Sequence, residues 1–273
     1  MPVEEFQAYW RNRRPDVVTK LPGVQRYVQS HTYRRLMRRE SRRVHRHDRA
    51  RDRRVTPLVL LFDLDGTLTD PRPGIVRCLK HALDTLGVPC PPDDVLASFI
   101  GPPLRETFAT LLETSDRDLI ERSLALYREE YGETGLFENR VYAGVTQMLR
   151  HTRMLASAAF VATLKPKLYA ERIVWRLELE PYFAGVYGPE LEGRFDDKAD
   201  LLAHLLATEK VAPERAVMIG DRAGDIVGAR ANRVRSIGVL WGYGSQSELA
   251  GAGADGLCSS PAELAACLGR LAR

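Results

Sequence analysis

Short apolar runs alternate with amphipathic segments along residues 56–273. The runs favour buried parallel strands, because strands that are covered on both faces are apolar throughout. The periodic apolar positions between them favour helices that bury one side. The predicted strands span 57–62, 157–163, 183–188, 215–221 and 236–242. The predicted helices span 75–86, 115–131, 167–177, 198–209 and 225–232.

The order of these elements predicts an α/β protein with a Rossmann-like, doubly wound parallel sheet. Residues 72–150 interrupt the alternation, because they contain helical patterns and no strand pattern. We therefore predict a core from residues 56–71 and 151–273, with residues 72–150 inserted as an α-helical cap. Within the insertion, Ser115 is the expected N-cap of one helix, and Gly87 fits the end of another.

The charge of the chain divides near residue 55. The 273 residues carry a formal net charge of +4. Residues 1–55 contain 16 Lys and Arg against 6 Asp and Glu, whereas residues 56–273 contain 24 against 30. Half of residues 33–54 are arginine, and the segment is too polar to bury a core, so we expect disorder or a solvated helix there. A basic N-terminal leader thus precedes a mildly acidic body.

The composition also limits where the protein acts. No apolar run reaches the roughly 18 residues that a membrane helix needs, so we expect no membrane association. The polar N-terminus lacks a secretory pattern, and its acidic residues argue against an organelle presequence. The cysteines have no ligand-like spacing, which favours reduced thiols in a cytoplasmic protein. They are Cys78, Cys90, Cys258 and Cys267.

Two carboxylates follow the first predicted strand, in the stretch "LLFDLDGTLTD" at residues 60–70. Asp63 and Asp65 are two positions apart and can converge at the carboxyl end of the strand, where open α/β sheets bind ligands. Neighbouring carboxylates repel unless a cation or a shared proton offsets them. Gly66 permits the turn that follows. Asp70 is interpreted as part of the turn and the link to the cap.

A second acidic cluster follows the predicted strand at 215–221, in the stretch "GDRAGD". Asp221 lies at the end of that strand, and Asp225 follows about one helical turn later. Together with Asp63 and Asp65, these residues predict an oxygen-rich site that suits Mg²⁺.

These motifs resemble the four sequence marks of the haloacid dehalogenase-like (HAD) hydrolase superfamily. The first mark is DxDGTLxD at residues 63–70, and the fourth is GDxxxD at residues 220–225. Thr163 fits the second mark, and Lys198 fits the third. The resemblance covers residues 56–270. It is greatest to the branch with phosphoglycolate phosphatases, bacterial 5′-nucleotidase-like proteins and β-phosphoglucomutases, which carries a helical cap between its first two marks.

The resemblance implies a phosphatase that forms an aspartyl-phosphate intermediate. Asp63 would attack phosphorus, and Asp65 would protonate the leaving oxygen and then activate water. Thr163, the backbone N–H of Leu164, and Lys198 would hold the phosphate, and Lys198 would also restrain Asp63.

The resemblance also implies Mg²⁺ as the cofactor. Its ligands would be the Asp63 side chain, the Asp65 carbonyl and Asp221, with Asp225 in support.

Three positions leave alternatives open. Relatives in this branch commonly have a small polar residue where this chain has Leu164, so a side-chain contact is lost while a backbone contact remains. Lys165 or Arg194 competes with Lys198 for the phosphate-neutralising role. Arg105, in the cap segment "IGPPLRETF", faces either a second anionic group of the substrate or solvent.

The leader has a resemblance of its own. Residues 4–32 are similar to a fragment of an EthD-like domain, but they cover only about a third of such a domain, which is too little to build its sheet. The leader is interpreted as a fusion remnant, as a segment outside the mature protein, or as a polyanion-binding arm. The first two interpretations are favoured, so we expect no nucleic-acid partner.

The sequence thus predicts a Mg²⁺-dependent phosphatase for a small phosphorylated metabolite, a phosphoglycolate- or nucleotide-like monoester. The protein is expected to be a monomer or a homodimer. One alternative is a phosphomutase of the β-phosphoglucomutase type, which returns the phosphate to its substrate. Another is a non-catalytic protein that binds polyanions through the leader.

Overall fold

The computed structural model describes residues 58–191 and 194–271, and its centre is a six-stranded parallel sheet. The strands of the sheet are β1 (Leu58–Phe62), β4 (Ala156–Ala162), β5 (Gly185–Tyr187), β6 (Ala216–Gly220), β7 (Arg235–Val239) and β8 (Gly256–Cys258). Their order is β5-β4-β1-β6-β7-β8. Two short strands, β2 (Thr69–Asp70) and β3 (Arg140–Val141), form a separate antiparallel pair.

Helices connect these strands. In the described ranges they are α1 (Arg72–Thr85), α2 (Asp93–Ala97), α3 (Leu104–Leu111), α4 (Arg117–Glu133), α5 (Val145–Leu155), α6 (Lys167–Arg176), α7 (Lys198–Glu209), α8 (Ala223–Ala231), α9 (Gln246–Gly251) and α10 (Leu264–Leu271). The predicted α/β fold with a parallel sheet is confirmed.

Strand β1 is central and buried on both faces. It pairs in parallel with β4 on one side and with β6 on the other. Leu60 and Phe62 face an apolar layer that includes side chains of α5, α6 and α10. Val59 and Leu61 face a second layer that includes side chains of α7 and α8. Because side chains alternate between two buried layers, the strand is apolar at every position. Asp63 is the first residue after β1.

Along the chain, helices α1 to α4 come between β2 and β3, and α1 packs against α4. These four helices are called the cap helices below, and together the cap. The sequence pattern indicated no strand between residues 72 and 150, but Arg140–Val141 pair with Thr69–Asp70. The predicted N-cap at Ser115 is wrong. Asp116 caps α4 instead, because its side chain accepts hydrogen bonds from the backbone of Asp118 and Leu119.

The expectation of a glycine at the end of the first cap helix agrees with the structure. Gly87 follows α1 and has a φ of +69°, a left-handed conformation that glycine adopts without strain. All four cysteines are free thiols, as predicted. In the described ranges, no helix is long and apolar enough to cross a membrane. The predictions for residues 1–55 lie outside the described residues.

Leu61→Ala is expected to lower the free energy of unfolding by about 2–5 kcal/mol, because it leaves a cavity next to the central strand. Urea denaturation followed by circular dichroism measures the loss. Val227→Ala is the matched control, since Val227 is exposed on α8. The control is expected to change the unfolding free energy by less than about 0.5 kcal/mol. Equal effects of the two substitutions would contradict the assigned core.

Candidate active site

The site begins where β1 ends. The backbone N–H of Asp63 donates to the carbonyl of Ile219 on β6 at 2.9 Å, so the two strand ends are held side by side. The turn beyond them requires Gly66, whose φ is +85°. A Cβ at this position would clash with the Asp221 carboxylate. The first aspartate motif therefore lies directly against the second, as predicted from the strand ends.

Asp221, at the end of β6, is fully buried and held from two sides. Its Oδ2 accepts the backbone N–H of Tyr243 at 2.8 Å. Its Oδ1 accepts the hydroxyl of Thr67 at 3.2 Å. Asp225 lies in the first turn of α8, where its Oδ2 accepts the backbone N–H of Arg222 at 3.1 Å. Both carboxylates are thus held by residues of the turns that follow β1, β6 and β7.

Lys198, the first residue of α7, links the two motifs. Its Nζ lies 2.9 Å from Asp63 Oδ1 and 2.6 Å from Asp225 Oδ1. It also donates to the carbonyl of Ala162 at 2.9 Å, so one buried ammonium has three oxygen partners. Helix α8 comes close to this side chain, and a Cβ at Gly228 would lie 2.7 Å from Lys198 Cγ. Glycine at that position leaves room for the lysine.

Burial and charged neighbours shift the pKa values of Asp63, Asp221 and Lys198. It raises the pKa of Asp63 to about 7, although the Lys198 ammonium opposes the rise and Asp225 adds to it. Burial also raises the pKa of Asp221 well above its usual value, and repulsion from Asp63 and Asp225 adds to the increase. For Lys198, burial alone would lower the pKa, but the attraction of Asp225 and Asp63 outweighs it. The repulsion arises because the three carboxylates of Asp63, Asp221 and Asp225 outnumber the single ammonium of Lys198, which contacts two of them.

The residues present fit a divalent cation. One carboxylate oxygen from each of Asp63, Asp221 and Asp225 lies within 4.8 Å of the others, and all three residues are buried. A set of carboxylate oxygens on fixed backbone turns suits Mg²⁺. The Asp65 side chain lies outside this cluster.

Asp65 instead pairs with Lys165, at 2.7 Å between Oδ2 and Nζ. The same Nζ donates to the hydroxyl of Tyr131 on the cap helix α4 at 2.7 Å. Sequence reasoning treated Lys165 only as a competitor of Lys198. The structure separates the three cations, since Lys198 reaches Asp63, Lys165 reaches Asp65, and the exposed Arg194 lies 3.8 Å from Glu190.

Thr163 and Leu164 follow β4, next to these carboxylates. The backbone N–H of Thr163 donates to the Tyr187 carbonyl at 3.0 Å, which extends the pairing of β4 with β5. The Thr163 hydroxyl accepts the N–H of Lys165 at 3.3 Å. Both residues line the same cavity as Asp63, so the structure brings the predicted phosphate-binding positions to the site.

The cavity has a volume of about 350 Å³ and is lined by the segments that follow β1 and β4 and by residues of α3 and α4. Arg105 lines it but is engaged, at 2.6 Å from Glu121 and 3.0 Å from Asp196. Arg128, on α4, also lines it and donates to the carbonyl of Leu191 at 3.2 Å. Its buried Nε has no hydrogen-bond partner among the described residues. Arg128 was not singled out from the sequence, because its position on the cavity depends on the packing of the cap.

Asp70 lies apart from this chemistry. Its Oδ1 accepts the hydroxyl of Tyr243 and the backbone N–H of Arg72 at the start of α1. It therefore connects β2 to helix α1 and to the loop after β7.

The sequence of this chain is similar to the sequences of known proteins. Residues 60–239 match the haloacid dehalogenase-like hydrolase family. A 5′-nucleotidase from Pseudomonas aeruginosa is 42% identical over 190 residues, which cover 70% of this chain and 86% of the nucleotidase. A phosphoglycolate phosphatase from Agrobacterium fabrum is 33% identical over 203 residues, which cover 70% of this chain and 83% of the phosphatase.

A third relative is named as a kinase, unlike the nucleotidase and the phosphatase. Tyrosine-protein kinase PtkA from Mycobacterium tuberculosis is 36% identical over 189 residues, and the match covers 69% of this chain and 64% of the kinase. A solved structure of that kinase superposes with a TM-score of 0.68 and 33% identity, over 79% of this chain and 100% of the solved chain. The chain thus belongs to the haloacid dehalogenase-like hydrolase family, as its sequence motifs indicate.

Lys198→Met is expected to lower the free energy of unfolding by about 3–5 kcal/mol, because it leaves two buried carboxylates without their cation. Adding Asp225→Asn removes one of these carboxylates and is expected to recover part of the loss. Urea denaturation measures both variants. Lys167→Met is the control, since its exposed ion pair with Glu171 contributes at most about 1 kcal/mol. A double variant no more stable than Lys198→Met would contradict the assigned charge balance.

Proposed function

We propose that the protein is a Mg²⁺-dependent phosphatase that hydrolyses small phosphomonoesters through a phosphorylated Asp63. The observation that carries the proposal is the buried Lys198 ammonium between Asp63 and Asp225, next to Asp221 and at the floor of a cavity. A carboxylate held by an ammonium at the end of a central strand is fixed in place and open to the cavity. Such positioning provides much of the rate of phosphoryl transfer.

In the proposed first step, an Asp63 carboxylate oxygen attacks phosphorus, and the bond from phosphorus to the leaving oxygen breaks. Asp65 gives that oxygen a proton, so the product leaves as an alcohol. Thr163, the backbone N–H of Leu164, and Lys198 contact the oxygens of the transferred group. Since the Leu164 contact is made by the backbone, the apolar side chain does not prevent it.

In the proposed second step, Asp65 takes a proton from a water molecule, which attacks the same phosphorus. The bond from phosphorus to Asp63 breaks, inorganic phosphate is released, and the Asp63 carboxylate is regenerated. Bound Mg²⁺ would be held by Asp63, the Asp65 carbonyl, Asp221 and Asp225, and would offset the negative charge of the transferred group.

The substrate is proposed to be a small phosphorylated metabolite, and the protein is proposed to act in the cytoplasm. The names of the relatives support a nucleotide- or phosphoglycolate-like monoester. From the sequence, Arg105 is expected to face either a second anionic group of the substrate or solvent, but in the structure two carboxylates hold that side chain. Arg128 is the better candidate, because it lines the cavity and makes no ion pair with a described residue.

The phosphomutase hypothesis uses the same first step and differs in the fate of the phosphate. With β-glucose 1-phosphate as substrate, a phosphatase releases inorganic phosphate, whereas a mutase produces the 6-phosphate. The polyanion-binding hypothesis rests on the leader, which lies outside the described residues. It predicts no Mg²⁺-dependent turnover and salt-sensitive binding of nucleic acid that is lost when residues 1–54 are removed.

Asp63→Asn is expected to lower kcat for 4-nitrophenyl phosphate by at least about a thousandfold, because an amide does not attack phosphorus. Steady-state kinetics with and without Mg²⁺ measures the effect, and circular dichroism verifies the fold. Asp84→Asn is the matched control, since Asp84 is exposed on α1 and is expected to leave kcat unchanged. Retention of most of the activity by Asp63→Asn would rule out the proposed nucleophile.

Arg128→Met is expected to lower kcat/KM roughly tenfold more for 2-phosphoglycolate than for 4-nitrophenyl phosphate, because only the first carries a carboxylate for the guanidinium. The comparison requires kinetics of both substrates with both proteins. Arg122→Met is the control on the same helix, since Arg122 is exposed and does not line the cavity. An equal decrease for both substrates would assign Arg128 a structural role instead.

A further inference from the structure

The pair of Lys165 and Tyr131 is not used by the chemistry described above. Lys165 Nζ lies 2.7 Å from Asp65 Oδ2 and 2.7 Å from the Tyr131 hydroxyl. It also lies 4.6 Å from the centre of the Tyr131 ring, within the range of a cation–π contact. The Lys165 side chain is only 6% exposed, so these contacts are shielded from water. Buried charged contacts of this kind hold geometry firmly.

Asp65 depends on this lysine for its orientation. Its other carboxylate oxygen, Oδ1, is buried and has no hydrogen-bond partner among the described residues. The contact of Oδ2 with Lys165 is therefore the polar contact that fixes the carboxylate, and no described residue competes for Oδ1. Both residues line the cavity. The arrangement leaves one oxygen of Asp65 for the exchange of a proton with a substrate.

Tyr131 lies on the cap helix α4 and is packed between two other aromatic rings. It is 1% exposed on α4. Its ring stacks on Tyr127 at 5.4 Å and contacts Tyr169 edge-on at 5.4 Å. Lys165, in contrast, belongs to the turn after β4 in the core. The hydroxyl of Tyr131 thus connects a fixed cap helix to the cation that holds Asp65.

We propose that Lys165 and Tyr131 are positioning residues for proton transfer by Asp65, so that the cap helix α4 takes part in the chemistry of the core. The inference rests on the proposed function, because it assumes that Asp65 protonates the leaving oxygen. Lys165 holds Oδ2, and Tyr131 holds Lys165 in the place where it does so. Both residues act through Asp65, without a contact to the reacting phosphorus.

The basicity of the leaving group separates this role from a structural one. A strongly basic leaving oxygen needs the proton from Asp65 as its bond to phosphorus breaks, whereas 4-nitrophenolate is a weak base and leaves without it. Phenyl phosphate and 4-nitrophenyl phosphate have similar shapes, and phenolate is the more basic leaving group. The parameter to compare is kcat/KM, because it reports the steps up to loss of the first product.

Lys165→Met is expected to lower kcat/KM at least tenfold more for phenyl phosphate than for 4-nitrophenyl phosphate. Tyr131→Phe removes one oxygen and keeps the ring contacts, so it is expected to fold normally and to shift the same ratio severalfold. It keeps the proposal testable if Lys165→Met does not fold. Tyr169→Phe is the matched control, because it keeps the ring against Tyr131 and changes no contact of Lys165. Its ratio is expected to equal that of the unmodified protein.

The outcomes are distinct. A selective decrease for phenyl phosphate in Tyr131→Phe, without one in Tyr169→Phe, supports the inference. An equal decrease for both substrates, or no change, overturns it while leaving the proposed function intact. If the unmodified protein hydrolyses neither substrate in the presence of Mg²⁺, the proposed function fails, and the inference fails with it.

Discussion

The structure of the site depends on one ammonium group that holds two buried carboxylates together. Lys198 lies between Asp63 and Asp225, and these acids follow β1 and β6. Without the cation, burying both negative charges would be costly, and the strand ends would repel each other. Three separate parts of the chain must therefore arrive at the same place, namely the end of β1, the start of α7 and the first turn of α8. The order of strands in the sheet makes this possible, because β6 lies next to β1.

A second ammonium group holds another carboxylate of the site. Lys165 follows β4 and pairs with Asp65, while Tyr131 contacts it from helix α4. The two aspartates of the first motif, although only two positions apart, are thus held by different lysines. This difference gives a physical basis for different roles. Asp63 lies in the carboxylate cluster that fits a cation, and Asp65 lies beside it with one free oxygen.

Much of this arrangement was predictable because strand ends in a parallel sheet meet at one edge. Asp63, Asp65 and Asp221 follow apolar runs whose pattern is unambiguous, and their convergence needs only the sheet. The contact of Lys165 with Asp65 was not predictable, since it depends on the turn after β4 and on the packing of the cap. Strands β3 and β8 have two and three residues, which is too short for a periodic signal. The motifs also did not indicate that Arg105 is held by two carboxylates, because Asp196 is distant in sequence.

Trapping the phosphorylated enzyme shows directly whether Asp63 is the nucleophile. A single turnover with a phosphomonoester and Mg²⁺ is stopped with acid, treated with borohydride and digested, and the peptides are sequenced by mass spectrometry. Borohydride reduces an acyl phosphate to an alcohol, so a phosphorylated aspartate is recovered as homoserine. The proposed mechanism predicts homoserine at position 63, with Asp65 unchanged. Homoserine at position 65, or turnover without homoserine at either position, would contradict it.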